Sequence, residues 1–414
     1  MIVRSQCVRR CFMADTMRAV RLHADWNPKS GFKLGSKDID KVQTYLGSLV
    51  WRNPHLEIEK VQVPQAGPGE VVIETRQVGI CGSDVHMAQP DDEGYIWYPG
   101  LTGFPCTLGH EISGVVVDVG PGTFNKATGQ PYKGGEWVCP EEMLWCGECR
   151  PCADGFPNHC ERLDEIGFNV DGGFTKYIKL PAKVLWSLDP LREKYSDEDV
   201  FRLGSMVEPT SVAYNALIER GGGIRPGDNA VVLGGGPIGM AGIAILKKAG
   251  AAKVILSEPE AGRRDLGMRM GADEVIDPIN EDFADRVLEI TKGHGAKIYL
   301  EATGLPTVVF PDIEKAIWEG KGLNSTVVIV ARAEAKIPLT GEVFQVRRAS
   351  VVGAQGHSGH GTFPRVIECM ASGMNVLPMM TKEIALDDVP ENIVALRTDR
   401  KECKISCHRP SASA

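Results

Sequence analysis

Short apolar runs of β character, broken by glycine and proline, fill the first half of the chain, and a longer rhythm replaces them after residue 230. Val71-Val-Ile-Glu-Thr, Gly114-Val-Val-Val-Asp-Val and Phe174-Thr-Lys-Tyr-Ile-Lys-Leu are such runs, separated by turns such as Pro64-Gln-Ala-Gly-Pro-Gly and Gly120-Pro-Gly. This pattern predicts a compact β-barrel-like domain. Beyond it, strands at 230–233, 253–256, 297–300, 326–330 and 351–353 are predicted, with helices at 238–249 and 262–270. The alternation of strand and helix predicts a parallel, doubly wound sheet covered on both faces, so the fold class is α/β. A linking helix is expected at 211–220. A helix at 363–372 and a closing strand are expected to return to the first domain, with the residues from 407 onward frayed. The implied division is 17–208, 209–354 and a return segment 355–406.

Length agrees with this division, because 414 residues exceed the roughly 100–200 of one typical domain. The balance of 46 basic against 54 acidic residues, net −8, opposes a nucleic-acid partner. Residues 230–246 are uncharged and almost as long as a membrane span, but Pro237 and five glycines interrupt them, so strand-turn-helix is the better reading and no membrane segment is expected. Residues 1–16 carry Arg4, Arg9 and Arg10 without an apolar core, which reads as a floppy extension rather than a secretory signal. Twelve cysteines then suit a reducing cytoplasm, where thiolates are kept for metal. Cys106, Cys139 and Cys369 read as small buried hydrophobes.

Cysteine spacing supplies the first chemistry. Cys146-Gly-Glu-Cys149-Arg-Pro-Cys152, followed by Cys160, places four thiolates where they can surround one Zn²⁺ with no open position, a structural site. His159 is a competing ligand, although four thiolates saturate the metal. Farther on, Gly234-Gly-Gly236-Pro-Ile238-Gly239 fits G-x-G-x-x-G between an apolar strand and a helix, the context a dinucleotide pyrophosphate site needs. Glu258, 19 residues after Gly239, ends the next strand and is placed to bind the ribose hydroxyls, which favours NAD over NADP. Arg263 either packs on adenine or is a solvated helix residue.

Cys81, His110 and Glu111 offer soft, borderline and hard ligands suited to a second zinc. The segments Gly79-Ile-Cys81-Gly-Ser83-Asp84-Val-His86 and Gly109-His110-Glu111, with the four-cysteine lobe and the Gly234 turn, resemble the zinc-containing medium-chain dehydrogenase/reductase superfamily. The resemblance runs from about residue 18 to 405. It implies a GroES-like β-barrel catalytic domain, a Rossmann coenzyme domain, one catalytic and one structural Zn²⁺, and NAD. It also implies that Cys81 and His110 are ligands of the catalytic metal, that Ser83 takes the substrate proton, that His86 passes it toward solvent, and that Asp84 orients His110. A cysteine ligand of the alcohol dehydrogenase branch is replaced here by Glu208, in Val207-Glu-Pro-Thr, as in the polyol branch; Glu111 and Glu208 both remain candidates for the third ligand.

Longer stretches, among them Glu142-Met-Leu-Trp-Cys-Gly and Gly356-His-Ser-Gly-His-Gly-Thr-Phe-Pro-Arg-Val, resemble a member acting on a keto-inositol. This implies a small-molecule cyclic polyol or keto-polyol substrate and a place in inositol catabolism, with sorbitol, threonine or simple alcohols as alternatives. Glu111, Glu208, His357 and His360 are candidates for hydroxyl binding, Gln89 and Trp97 weaker ones, and the loop 91–105 is expected near the cleft. A homodimer or homotetramer is implied. A non-catalytic nucleotide binder is disfavoured by the presence of every ligand and of Ser83.

Overall fold

The computed structural model describes residues 15–332, 336–337, 339–357 and 359–408. The antiparallel hairpin of β1 (Thr16–Trp26) and β2 (Trp51–Gln62) pairs with the short β4 (Cys106–Thr107). A larger sheet contains β3 (Glu70–Gly79), β5 (Glu111–Val119), β6 (Trp137–Pro140), β9 (Tyr177–Pro181) and β10 (Leu185–Ser187). Their inward residues, including Val20, Leu22, Val71, Ile73, Ile112 and Phe174, form one barrel-like core. The two-residue strands β7 (Met143–Leu144) and β8 (Asp164–Glu165) pair beside it and flank the cysteine lobe.

The second domain is a six-stranded parallel sheet in the order β13-β12-β11-β14-β15-β16. Its strands are β11 (Asn229–Leu233), β12 (Lys253–Ser257), β13 (Glu274–Ile276), β14 (Ile298–Glu301), β15 (Thr326–Ile329) and β16 (Ser350–Gly353). The central strands are almost continuously apolar because helices cover both faces. The expected α/β fold class and doubly wound sheet are thus present.

The expected linking helix begins earlier than the sequence suggested. It runs Asp197–Tyr214, capped by Ser196, and continues as a wider turn over Asn215–Arg220. Pro209 lies inside it. A proline normally marks a helix boundary, which is why Glu208 read as preceding the helix; tertiary packing overrides that signal. At Gly204 a Cβ would lie 2.6 Å from Leu188 Cδ1 and 2.8 Å from Ser113 Cβ, so the helix backbone rests directly on the barrel.

After the helix Thr362–Ala371 the chain re-enters the first sheet through two strands, β17 (Met380–Ile384) and β18 (Lys404–His408). β18 lies between β3 and β17. Fraying from 407 is therefore corrected: Cys407 is fully buried within β18. Residues 1–14 and 409–414 lie outside the described residues. Cys106 and Cys139 are buried as expected, and Cys369 is half-buried.

Candidate active site

The sulfurs of Cys146, Cys149, Cys152 and Cys160 all lie within 4.8 Å of one another. Cys146 and Cys152 are 4.0 Å apart, and Cys149 and Cys160 are 3.8 Å apart. Zn–S bonds of about 2.3 Å in a tetrahedron set sulfurs about 3.8 Å apart, so the lobe fits zinc without rearrangement. The amides of Glu148 and Cys149 donate to Cys146 Sγ at 3.3 and 3.4 Å. The Glu148 bond leads in holding the Cys146 thiol down at about 6, toward the thiolate a metal requires. His159, in the turn Pro157–His159, is not part of this cluster.

The second cluster forms where the helix Gly82–Ala88 meets the start of β5. Cys81 is the helix N-cap, and its amide donates to Asp84 Oδ2 at 2.8 Å. Ligand atoms of Cys81, His110 and Glu111 fall within 4.8 Å of each other. His110 Nδ1 and Glu111 Oε2 are buried with no hydrogen-bond partner among the described residues. Asp84 Oδ1 stands 3.9 Å from His110 Nδ1, beyond hydrogen-bond reach but close enough to orient the ring by charge. His110 also packs on Phe168, with ring centroids 4.9 Å apart. Glu111 Oε1 accepts from Lys404 Nζ at 2.5 Å, and Lys404 also donates to the Ile80 carbonyl at 3.0 Å. Lys404, arriving on β18, had no local signal in the sequence.

Glu208 falls into a different group. Its carboxylate, that of Glu142 and the His357 ring form a third cluster, all three buried. His357 Nε2 lies 3.4 Å from Glu208 Oε1 and 3.5 Å from Glu142 Oε2. Burial raises the Glu208 and Glu142 carboxyls to about 7, and raises the nearby Glu165 carboxyl well above its ordinary value. Of the polar turn at 357–360, only His357 reaches this interior. His360 is exposed and faces Glu219 and Phe156, and Ser358 lies outside the described residues. Glu142, Glu165 and Lys404 are the site residues that sequence reasoning did not single out.

Ser83 and His86 share the short helix Gly82–Ala88 with Cys81 at its start. The Ser83 hydroxyl is buried with no hydrogen-bond partner among the described residues. Burial, with the charge of Arg400, lowers the His86 pKa and keeps its ring a neutral proton acceptor. Trp97 is half-exposed and stands beside His86, centroids 6.3 Å apart. Gln89 ends the helix. Tyr98, in the loop 91–105, accepts from Arg332 Nη1 at 3.0 Å, which ties that loop to the second domain across the cleft.

In the dinucleotide turn, Gly234 has φ +98°, and at Gly239 a Cβ would lie 1.9 Å from the Gly234 carbonyl oxygen. Both positions require glycine. Gly236 caps the helix Pro237–Lys248 with open space where its Cβ would be, room for a phosphate at the helix N-terminus. Ile238 lies in the first turn of that helix and packs on its core. Glu258 accepts the Gly235 amide at 2.6 Å and the Glu260 amide at 2.9 Å, so it fixes the loop as well as facing it. Arg263 donates instead to the Glu402 carbonyl on the return segment, at 2.9 Å.

A barrel domain with a Cys/His/Glu cluster, set against a Rossmann sheet with a glycine-rich turn, defines the class of zinc-dependent alcohol dehydrogenases. Residues 67–190 match the alcohol dehydrogenase GroES-like domain, and residues 237–372 match the zinc-binding dehydrogenase family. The chain is 61% identical to scyllo-inosose 3-dehydrogenase of Thermotoga maritima over 94% of its own length and 99% of the relative's. It is 30% identical to L-threonine 3-dehydrogenase of Pyrococcus abyssi over 84% of this chain and 94% of that one. A solved Thermotoga maritima structure, provisionally described as an alcohol dehydrogenase, superposes with a TM-score of 0.93 at 61% identity, covering 95% of this chain and all of that one. The 2R,3R-butanediol dehydrogenase of Bacillus subtilis superposes with a TM-score of 0.73 at 27% identity, covering 95% and 99%. The chain belongs to the zinc-containing medium-chain alcohol dehydrogenase family.

Proposed function

We propose that this protein oxidises a secondary alcohol on a cyclic polyol, scyllo-inosose by preference, passing hydride to NAD. The observation that carries this reading is full-length 61% identity to an enzyme of that name, combined with a buried group of carboxylates beside the metal cluster. Cys81, His110 and Glu111 would hold a zinc ion, whose chemistry would be to polarise a bound alcohol oxygen and lower its pKa toward neutrality. Glu111 is favoured over Glu208 as third ligand because its carboxylate lies with Cys81 and His110, whereas Glu208 lies with Glu142 and His357. Ser83 takes the hydroxyl proton and His86, one turn on, relays it. Bound NAD would accept hydride from the substrate carbon, so that the alcohol and NAD would give ketone, NADH and a proton. Asp84 positions His110.

Glu258 at the end of β12 supports NAD, since a carboxylate there repels a 2′-phosphate. The four-cysteine lobe takes a structural zinc. No helix among the described residues is long and apolar enough to cross a membrane; a cytoplasmic location is our reading of thiolates kept reduced for metal. A homodimer or homotetramer is supported by β16, an edge strand of the parallel sheet with one side unpaired. The domain division at 208 falls inside the helix Asp197–Tyr214, so we place the hinge region within that helix and its continuation.

The test is NADH formation by absorbance with scyllo-inosose, myo-inositol, sorbitol, threonine and ethanol, before and after chelation. Chelator-sensitive turnover favouring scyllo-inosose is expected. Preference for threonine, sorbitol or ethanol would keep the chemistry and overturn the substrate.

A further inference from the structure

The metal cluster and the proton path leave two buried carboxylates without a task. Glu142 precedes β7 and Glu165 ends β8; these paired strands hold both carboxylates near the site, where each acts electrostatically on the other. Glu142 and Glu165 are 5% and 6% exposed, and one oxygen of each, Glu142 Oε1 and Glu165 Oε2, is buried with no hydrogen-bond partner among the described residues. The remaining oxygen of Glu142 faces His357, 3.5 Å away, and His357 reaches on to Glu208. Phe168, whose amide donates to the Glu165 carbonyl at 3.2 Å, packs on both His110 and Tyr98, with ring centroids 4.9 and 5.1 Å apart, so Glu165 lies close to the metal cluster and to the Tyr98–Arg332 contact.

Unpaired buried acceptors are costly and call for donors. A monohydric alcohol spends its one hydroxyl at the metal and has none left for them. A cyclic polyol brings hydroxyls on the neighbouring ring carbons, each a donor. We propose that Glu142 and Glu165 accept hydrogen bonds from ring hydroxyls remote from the reacting carbon, and so determine specificity for a cyclic polyol. This rests on the polyol reading above and deepens it. Binding by such acceptors selects strongly, because a substrate lacking the hydroxyl leaves the carboxylate buried and unpaired.

The experiment compares the zinc-loaded wild type with Glu142→Gln and Glu165→Gln, using scyllo-inosose and a set of its monodeoxy analogues. Zinc content and NADH affinity are measured on each protein. The KM for scyllo-inosose is expected to rise about tenfold in each variant, with a much smaller change in kcat, the weight of one buried hydrogen bond. One deoxy analogue is expected to lose a similar factor in kcat/KM on wild type and nothing further on the matching variant, the coupling a direct contact produces. Losses that simply multiply for every analogue would overturn the contact. Loss of zinc from either variant would make that carboxylate a metal ligand and overturn it as well. Failure of wild type to oxidise any inosose would instead refute the proposed function, and this inference with it.

Discussion

Replacing Glu142 with glutamine tests the electrostatics of the acidic cluster directly. Burial raises this carboxyl from an ordinary 4.5 to about 7. In the metal-free protein the folded state therefore holds a proton that the unfolded chain releases near 4.5. The folded state binds more protons between those two values, so stability falls as pH rises through that window and levels off above about 7. The resulting loss of stability is about 1 kcal/mol at pH 5 and about 3 kcal/mol at pH 8. The amide variant has no such cost. Its stability relative to wild type should grow by about 2 kcal/mol between pH 5 and pH 8, or about 2–3 °C in thermal midpoint for a chain of this size. The assay is thermal unfolding of chelated wild type and Glu142→Gln across that range, at one scan rate. Parallel curves would refute the reasoning, because they would mean that Glu142 is solvated or carries no extra proton in the folded state.

Ser83→Ala should lower kcat by about a hundredfold or more, while the dissociation constant for NADH by fluorescence titration stays that of wild type. Lys404→Met leaves Glu111 buried without its ammonium partner; melts of the chelated variant should show a loss of about 3–5 kcal/mol, partly restored by adding Glu111→Gln. Gly239→Ala puts a methyl 1.9 Å from the Gly234 carbonyl; NADH affinity should fall at least tenfold in the same titration, with zinc content unchanged.

Signals confined to one stretch of chain could be read without the fold. The four cysteines span 15 residues and the glycine turn spans six, so spacing alone carries their geometry. Cys81 and His110 lie 29 residues apart and needed a family resemblance to be joined. The acidic interior was not legible, because Glu142 meets His357 only after the Rossmann domain has been threaded between them, and an isolated glutamate before a cysteine motif reads as a solvated charge. Lys404 was hidden for the same reason. Pro209 misled in the opposite way, since a local breaker signal was overruled by packing along the whole helix.

The position of β18 has a consequence for synthesis of the chain. Glu111 and Lys404 are separated by 293 residues. At about 5–20 residues per second, roughly 15–60 s pass between the emergence of the acid and that of its counter-cation. Throughout that interval the first sheet lacks the strand between β3 and β17, and its metal-binding edge faces solvent with an uncompensated carboxylate. The coenzyme domain, whose six strands are complete by Gly353, can close earlier. The nascent protein is thus expected to acquire a nucleotide fold before it acquires a finished metal site, and premature termination between Ala371 and Lys404 would yield a dinucleotide binder with no counter-cation for Glu111.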